Sequence, residues 1–179
     1  METKIATKFT IGTEQGIDDL AFITTATARE KFTGKIPDQE LEDYIEVNFN
    51  KNALREELNN LSNQYLIVYV NSEPAGYTKV TSKGIKPKVF EHKTVIRIAD
   101  FGVLSMFNDP LVVRSLFEKS LSISTMQEVI WISESEDSSY LDLFESYGFS
   151  RNSNITFLHK SPIQLIYLVK EKTIKQNIK

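Results

Sequence analysis

The 179-residue chain is 41% hydrophobic and 25% charged, with 21 Lys and Arg against 24 Asp and Glu, a formal charge of -3. A chain of this size suits one domain with a sizeable core, and its charge offers no strong attraction to nucleic acid or to an anionic membrane. Cysteine is absent, which excludes disulfides, thiolate catalysis and zinc–thiolate sites. The two histidines, His92 and His159, are too few for a histidine-cluster zinc site, and no metal is expected. The opening METKIATKFTIGTE has no apolar signal core and no apolar run approaches membrane-spanning length, so a soluble cytoplasmic protein is the expectation.

Ile5 to Thr10 reads as an edge strand. Gly16 to Thr33 reads as a helix, with Ile17, Leu20, Ala21, Thr24 and Ala28 near one face and Phe32 closing it. Pro37 opens a second helix with Leu41, Tyr44, Ile45 and Phe49 inward, and KNALREELNNL forms a third with the stripe Leu54, Leu58 and Leu61. Its adjacent Glu56 and Glu57 read as solvated helix residues, because a catalytic acid pair usually converges from different elements. From Tyr65 the period becomes two: QYLIVYV and AGYTKV form a hairpin around the polar turn Asn71 to Pro74. Lys83 to Lys93, KGIKPKVFEHK, is a basic connection whose lysines read as solvated.

Val95 to Leu121 is the stretch around which a sheet should assemble. Val95, Ile96, Ile98, Phe101, Val103 and Leu104 alternate only in part, the pattern of a strand covered on both faces. Asn108, Asp109 and Pro110 then punctuate the chain. Asp109 can cap the next helix, and proline suits its first position because the missing N–H would be unpaired there. Val113, Leu116, Phe117, Ser120 and Leu121 follow as one inward helical face. A strand feeding the open N-terminus of a helix is where α/β proteins hold anions, but this junction carries no glycine. QEVIWIS reads as a short buried strand, SSYLDLFESYGF as a helix ended by Gly148, and ITFLHK with PIQLIYLV as a final antiparallel pair before the polar tail EKTIKQNIK. An uncovered edge of PIQLIYLV would invite pairing with a second copy as a homodimer.

This order of strand, three helices, hairpin, long strand, helix, strand, helix and two strands resembles the GNAT superfamily of acyl-coenzyme A N-acyltransferases, over roughly Phe9 to Lys170. The segment ATAREKFTGKIPDQELEDYIEVNFNKNALREELNN, ahead of the hairpin, looks like the polyamine and diamine acetyltransferase branch. The resemblance implies a single α/β (α+β) domain over residues 1–179, a mixed central sheet flanked by helices, and a frayed tail at 171–179. It also implies acetyl-CoA as cosubstrate and a small amine as acceptor, meeting between splayed central strands.

In proteins of that family the central strand ends in a bulge and runs into a Gln/Arg-x-x-Gly-x-Gly/Ala segment, whose backbone N–H groups hold the coenzyme A diphosphate. The resemblance lays that segment on Asn108, Asp109, Pro110, Leu111, Val112 and Val113, followed by Arg114, with Val103 and Leu104 leading in. None of its glycines is kept. Glycine lets amides approach oxygen closely, whereas Pro110 removes a donor, Asp109 adds negative charge, and Val112 and Val113 narrow the approach. The late-helix tyrosine that protonates the departing thiolate falls on Phe144, which has no proton to give. Tyr140 and Tyr147, near the same helical face, are the substitutes. The asparagine that contacts coenzyme A falls on Asp137. A strand carboxylate that handles substrate falls on Arg97, leaving Asp100 as the nearby acid, able to orient an amine or pair with Arg97. His159 reads as a surface hydrogen-bonding residue. Two functions are compatible with these residues: an acetyl-CoA-dependent N-acetyltransferase of small amines with a divergent site, and a catalytically silent protein of the same fold that binds a ligand or protein in the sheet opening.

Overall fold

The period-two stretches become the strands of one mixed sheet. The structure is a computed structural model and describes residues 3–84, 86–155 and 162–172. The strands are β1 (Ile5–Phe9), β2 (Asn63–Val70), β3 (Glu73–Thr81), β4 (Val95–Val103), β5 (Val129–Ser135), β6 (Ser150–Arg151) and β7 (Leu165–Glu171). They lie in the order β1-β2-β3-β4-β5-β7-β6. The helices are α1 (Glu14–Phe32), α2 (Asp38–Phe49), α3 (Lys51–Asn59), α4 (Pro110–Ile123) and α5 (Leu141–Ser146). Among the described strands, β4 and β5 are the pair that runs parallel, a connection that needs a crossover, and α4 supplies it. The fold is thus a single α/β domain with a mixed sheet flanked by helices, and β4 is the middle strand among the described residues.

Both faces of the sheet are buried. Leu66 and Val68 of β2 join Val113, Leu116 and Phe117 of α4, while Tyr65 and Ile67 join Leu20 and Ile23 of α1 and Leu54 of α3. Two covered faces explain why the central strands alternate so weakly in sequence. Helix starts follow local chemistry: the Thr13 hydroxyl accepts the Gly16 N–H, Asn50 accepts the Ala53 N–H, and Asp109 accepts the Leu111 N–H with Pro110 in the first turn.

The decisive irregularity lies in β4. Lys79 pairs with Asp100 but Val80 pairs with Ile98, so Ala99 is an extra residue, a β-bulge. The bulge resets the side-chain phase. Ile96, Ile98, Phe101 and Val103 all enter the core on the α4 side, although Ile98 and Phe101 are an odd three positions apart. On the other face Gly102 lies against Thr27 of α1, Leu104 joins the α1 cluster, and Arg97 and Asp100 line one cavity.

Several boundaries differ from the sequence expectation. Asn71 and Ser72 alone make the hairpin turn, both at positive φ, the mirror-image geometry that two-residue hairpins favour, and Pro74 already pairs with Tyr69. Leu61 leaves its expected stripe because α3 stops at Asn59, and it is 97% exposed. The fifth helix begins only at Leu141, and Gly148, at φ +86, ends the turn that follows it. β7 pairs with β5 on one side and, at Leu168 and Val169, with β6 on the other, which covers part of the edge whose cover the sequence left open. Glu171, read as tail, closes β7 opposite Val129. Most of ITFLHK, with His159, and residues 173–179 lie outside the described residues.

Candidate functional site

β4 and β5 pair from Val95 and Val129 to Ile98 and Ile132, then part. The parting begins at the bulge. It opens a cavity of about 260 Å³ bounded by the end of α1, the far half of β4, the end of β5 and the segment from Asp137 to Tyr140. A second cavity of about 510 Å³ lies beside α2 and α3, against β3 and β4. Tyr77, Asp100 and Phe49 line both cavities, so the two meet at the bulge.

Asp100 is held from several directions. The Tyr77 hydroxyl donates to Oδ2, the Phe101 N–H donates to Oδ1 at 3.0 Å, and Lys31 Nζ of α1 stands 3.7 Å from Oδ1. Lys31 also reaches Glu134 Oε1 of β5 at 2.9 Å, so one ammonium spans the parted strands. Glu134 is 2% exposed. Burial alone would lower the Lys31 pKa, but Asp100 and Glu134 reverse this and raise it, which holds the ammonium charged. Burial raises the Glu134 pKa against the opposing pull of Lys31. Burial first, then the charge and hydrogen bond of Asp100, push the Tyr77 phenol far up, so Tyr77 acts as a fixed donor.

Past the bulge, alternate amides of β4 point towards the gap. Leu104 N–H turns the other way, to Ala75 C=O of β3. Val103 meets Tyr140, whose hydroxyl accepts the Val103 N–H at 3.0 Å and donates to the Val103 C=O at 3.1 Å. Ser105 donates its N–H and its hydroxyl to the Glu30 carboxylate at 2.8 and 2.9 Å. The N–H groups of Phe107, Asn108 and Asp109 go to carbonyls of the same short turn, and that of Leu111 to Asp109 Oδ1 at 2.8 Å.

The residues singled out from sequence therefore separate into groups. Asp100, Val103, Asn108, Asp137 and Tyr140 line the cavity at the parted strands. Tyr147 does not: its hydroxyl donates to Glu118 of α4, away from that cavity. Phe144 is fully buried, with its ring against Phe101 and Phe117. Val112 and Val113 point into the core, Leu104 packs in the α1 cluster, and Leu111 is exposed. Arg114 lines a separate surface groove with Thr7 and Glu118. Asp137 pairs with Lys35 at 2.7 Å, and that hydrogen bond, with one from Ser135, lowers its pKa. Arg97 is buried with its guanidinium carbon 5.0 Å from the Trp131 ring centre, and it lines the second cavity. Glu57, read as solvated, is instead drawn inward, accepting from Lys79, Asn63 and Tyr65. Of the basic connection, Lys86 donates to Glu91 C=O and Lys93 pairs with Glu171.

Glu30, Lys31, Tyr77 and Glu134 were not singled out from sequence. Two of them carried a signal. Lys31 falls four residues after Thr27 and three after Ala28 on the buried stripe of α1, and Glu134 is in phase with Ile130 and Ile132. A charged residue in register with a buried stripe marks a buried ion pair.

At the start of α4 the chain's own side chains hold several of the backbone donors. Pro110 has no N–H, Asp109 and Glu30 place carboxylates on the Leu111 and Ser105 amides, and Tyr140 covers Val103. Among the described residues no group of three or more His, Asp and Glu is placed to hold a metal ion, and no helix is long and apolar enough to cross a membrane.

No protein-family model and no curated protein matches the chain. Solved structures do. The PaiA N-acetyltransferase of Thermoplasma acidophilum in complex with coenzyme A superposes with a TM-score of 0.73 at 12% identity, over 96% of this chain and all of that one. FeeM, an N-acyl amino acid synthase from uncultured soil microbes, gives 0.67 at 12% identity over 95% and 92%. An acetyltransferase from Streptococcus agalactiae gives 0.65 at 14% identity over 94% and 98%. The chain thus has the fold of the GNAT acetyltransferases. At these identities the likeness is one of fold.

Proposed function

We propose that the protein is a divergent N-acetyltransferase of small amines, in which the acceptor half of the site is kept and the donor half is closed by the chain's own side chains. The observation that carries this is the meeting of two cavities at Tyr77 and Asp100, where β4 bulges and β5 departs. An acyl transferase needs two reactants brought to one point from separate entrances, and positioning alone can supply much of the acceleration. Asp100 provides the anionic end that orients an amine and accepts its proton, and Tyr77 fixes the carboxylate's direction. The resemblance of the segment before the hairpin to polyamine and diamine acetyltransferases supports an amine acceptor.

A second reading, an amine-binding protein without transfer, is favoured by the occupied amides of Val103, Ser105 and Leu111. One experiment separates the two. Calorimetry with acetyl-CoA, followed by mass spectrometry of single-turnover mixtures with putrescine and other small amines, should show weak donor binding and slow acetylation that Asp100→Asn reduces. Amine binding with no acetylated product at saturating acetyl-CoA would establish the second reading instead.

A further inference from the structure

We propose that the protein is a two-fold homodimer in which β1 pairs antiparallel with β1 of a second copy, centred on Thr7, so that the two sheets run on as one. Among the described residues β1 pairs with β2 alone and so forms an edge of the sheet. The Thr10 N–H donates to the Tyr65 C=O, and the Asn71 N–H donates to the Lys4 C=O, so the even-numbered residues of this stretch face β2. Alternation then turns the N–H and C=O groups of Ile5, Thr7 and Phe9 outwards, a row of donors and acceptors ready for a further strand.

Like charge selects the register. Outward residues pair only with outward residues, so a symmetric antiparallel pair is centred on a whole residue. Centring on Lys8 sets that lysine against its own copy, and centring on Ala6 sets it against Lys4, which is destabilising in either case. Centring on Thr7 sets Lys8 against Ala6 and leaves no outward group of the strand unpaired. It also brings Phe9, 50% exposed, against Ile5, which already borders the core. On the far face Lys8 folds back over the Tyr69 ring of β2, 5.3 Å from its centre.

Helix α4 is matched to the same axis. The Thr7 hydroxyl lies 2.8 Å from that of Ser115, and Lys119 Nζ stands 5.6 Å from the Phe9 ring centre. Four residues of α4 thus keep step with two of β1, and an axis through Thr7 passes beside Ser115. Leu111, Arg114 and Glu118 line the surface groove around these two residues, and all three are exposed. The axis turns Arg114 of one copy towards Glu118 of the other, and the reverse, the self-complementarity that an isologous interface requires.

Sedimentation equilibrium of the full chain tests this. The wild type should be a dimer at micromolar concentration. Thr7→Pro removes an outward N–H and no bond to β2, so its circular dichroism should match wild type while dimerisation is lost. Arg114→Glu and Glu118→Arg should each raise the dimer dissociation constant about tenfold or more, and the two combined in one chain should restore it, which mere damage to the fold would not do. The chain has no cysteine, so Thr7→Cys reads the register directly: mild oxidation should join two copies through a disulfide, because paired Cα atoms there lie about 5.5 Å apart. A wild-type monomer at every concentration overturns the inference, and so does an open series of larger assemblies, which a two-fold contact cannot build. A dimer that survives Thr7→Pro, or that is indifferent to the charge exchange, forms through another surface and overturns it as well.

Discussion

The two halves of β4 satisfy their backbone by different means. Up to Ile98 the strand has β5 at its side in a regular parallel ladder. Beyond the bulge its neighbour is gone and side chains take over: Asp100 for the Phe101 amide, Tyr140 for Val103, Glu30 for Ser105. A buried amide needs a partner in both places. A ladder, however, is fixed by the whole sheet, whereas a carboxylate or phenol can rotate away and yield its place to a ligand. The paired half is therefore the rigid reference against which the open half can vary.

The contrast can be broken most severely in the paired half. Ile132, 1% exposed, faces the α4-side core, and Ile132→Ala should cost about 3 kcal/mol, within the usual range of roughly 2–5 for such truncations. Urea denaturation should show a lower midpoint with an unchanged slope.

A smaller effect comes from the tie across the gap. Lys31→Met leaves the Glu134 carboxylate buried without its cation, which should cost about 2 kcal/mol at neutral pH, less than a fully buried pair because Lys31 is partly exposed. The sign of the pH dependence follows from burial, which raises the Glu134 pKa in the folded state. The folded variant then binds its proton more tightly than the unfolded chain does. Its stability is greatest below the ordinary glutamate pKa and falls as pH rises through the raised one. Denaturation midpoints across that window should converge on wild type at acid pH, and a loss independent of pH would deny that Glu134 is the group left behind.

The mildest break is Tyr140→Phe. The ring stays against Phe101, 5.0 Å between centres, and only the hydroxyl bridging the Val103 N–H and C=O is lost. About 1 kcal/mol of stability should go with it. Because the freed edge is the one a donor would use, acetyl-CoA should bind more tightly to the variant in calorimetry. Unchanged or weaker binding would place the donor elsewhere or nowhere on β4.

Much of the frame was legible before any coordinates. The Asp109–Pro110 helix start, the stripe of α4, the hairpin and the positions of the long strand and its crossover all follow from interactions within a few residues, and they stand where the sequence put them. Tyr140 and Asp100 were also named, although in roles taken from the family resemblance. Leu61 misled because apolar spacing does not say where a helix frays, and cover for the edge of β7 was left open because spacing does not say which strand lies beside another.

By itself, the sequence determined the elements, the missing glycines at the α4 start and the shortage of metal-binding side chains, because caps, periodicity and composition are local properties. Tertiary structure alone decided what fills the gap. Tyr140 meets Val103 across 37 residues, Glu30 meets Ser105 across 75, and Lys31 joins two strands that no local pattern connects. It also decided that Arg97 and Asp100 share a face, since a bulge is a mismatch between two strands and has no existence in one strand alone.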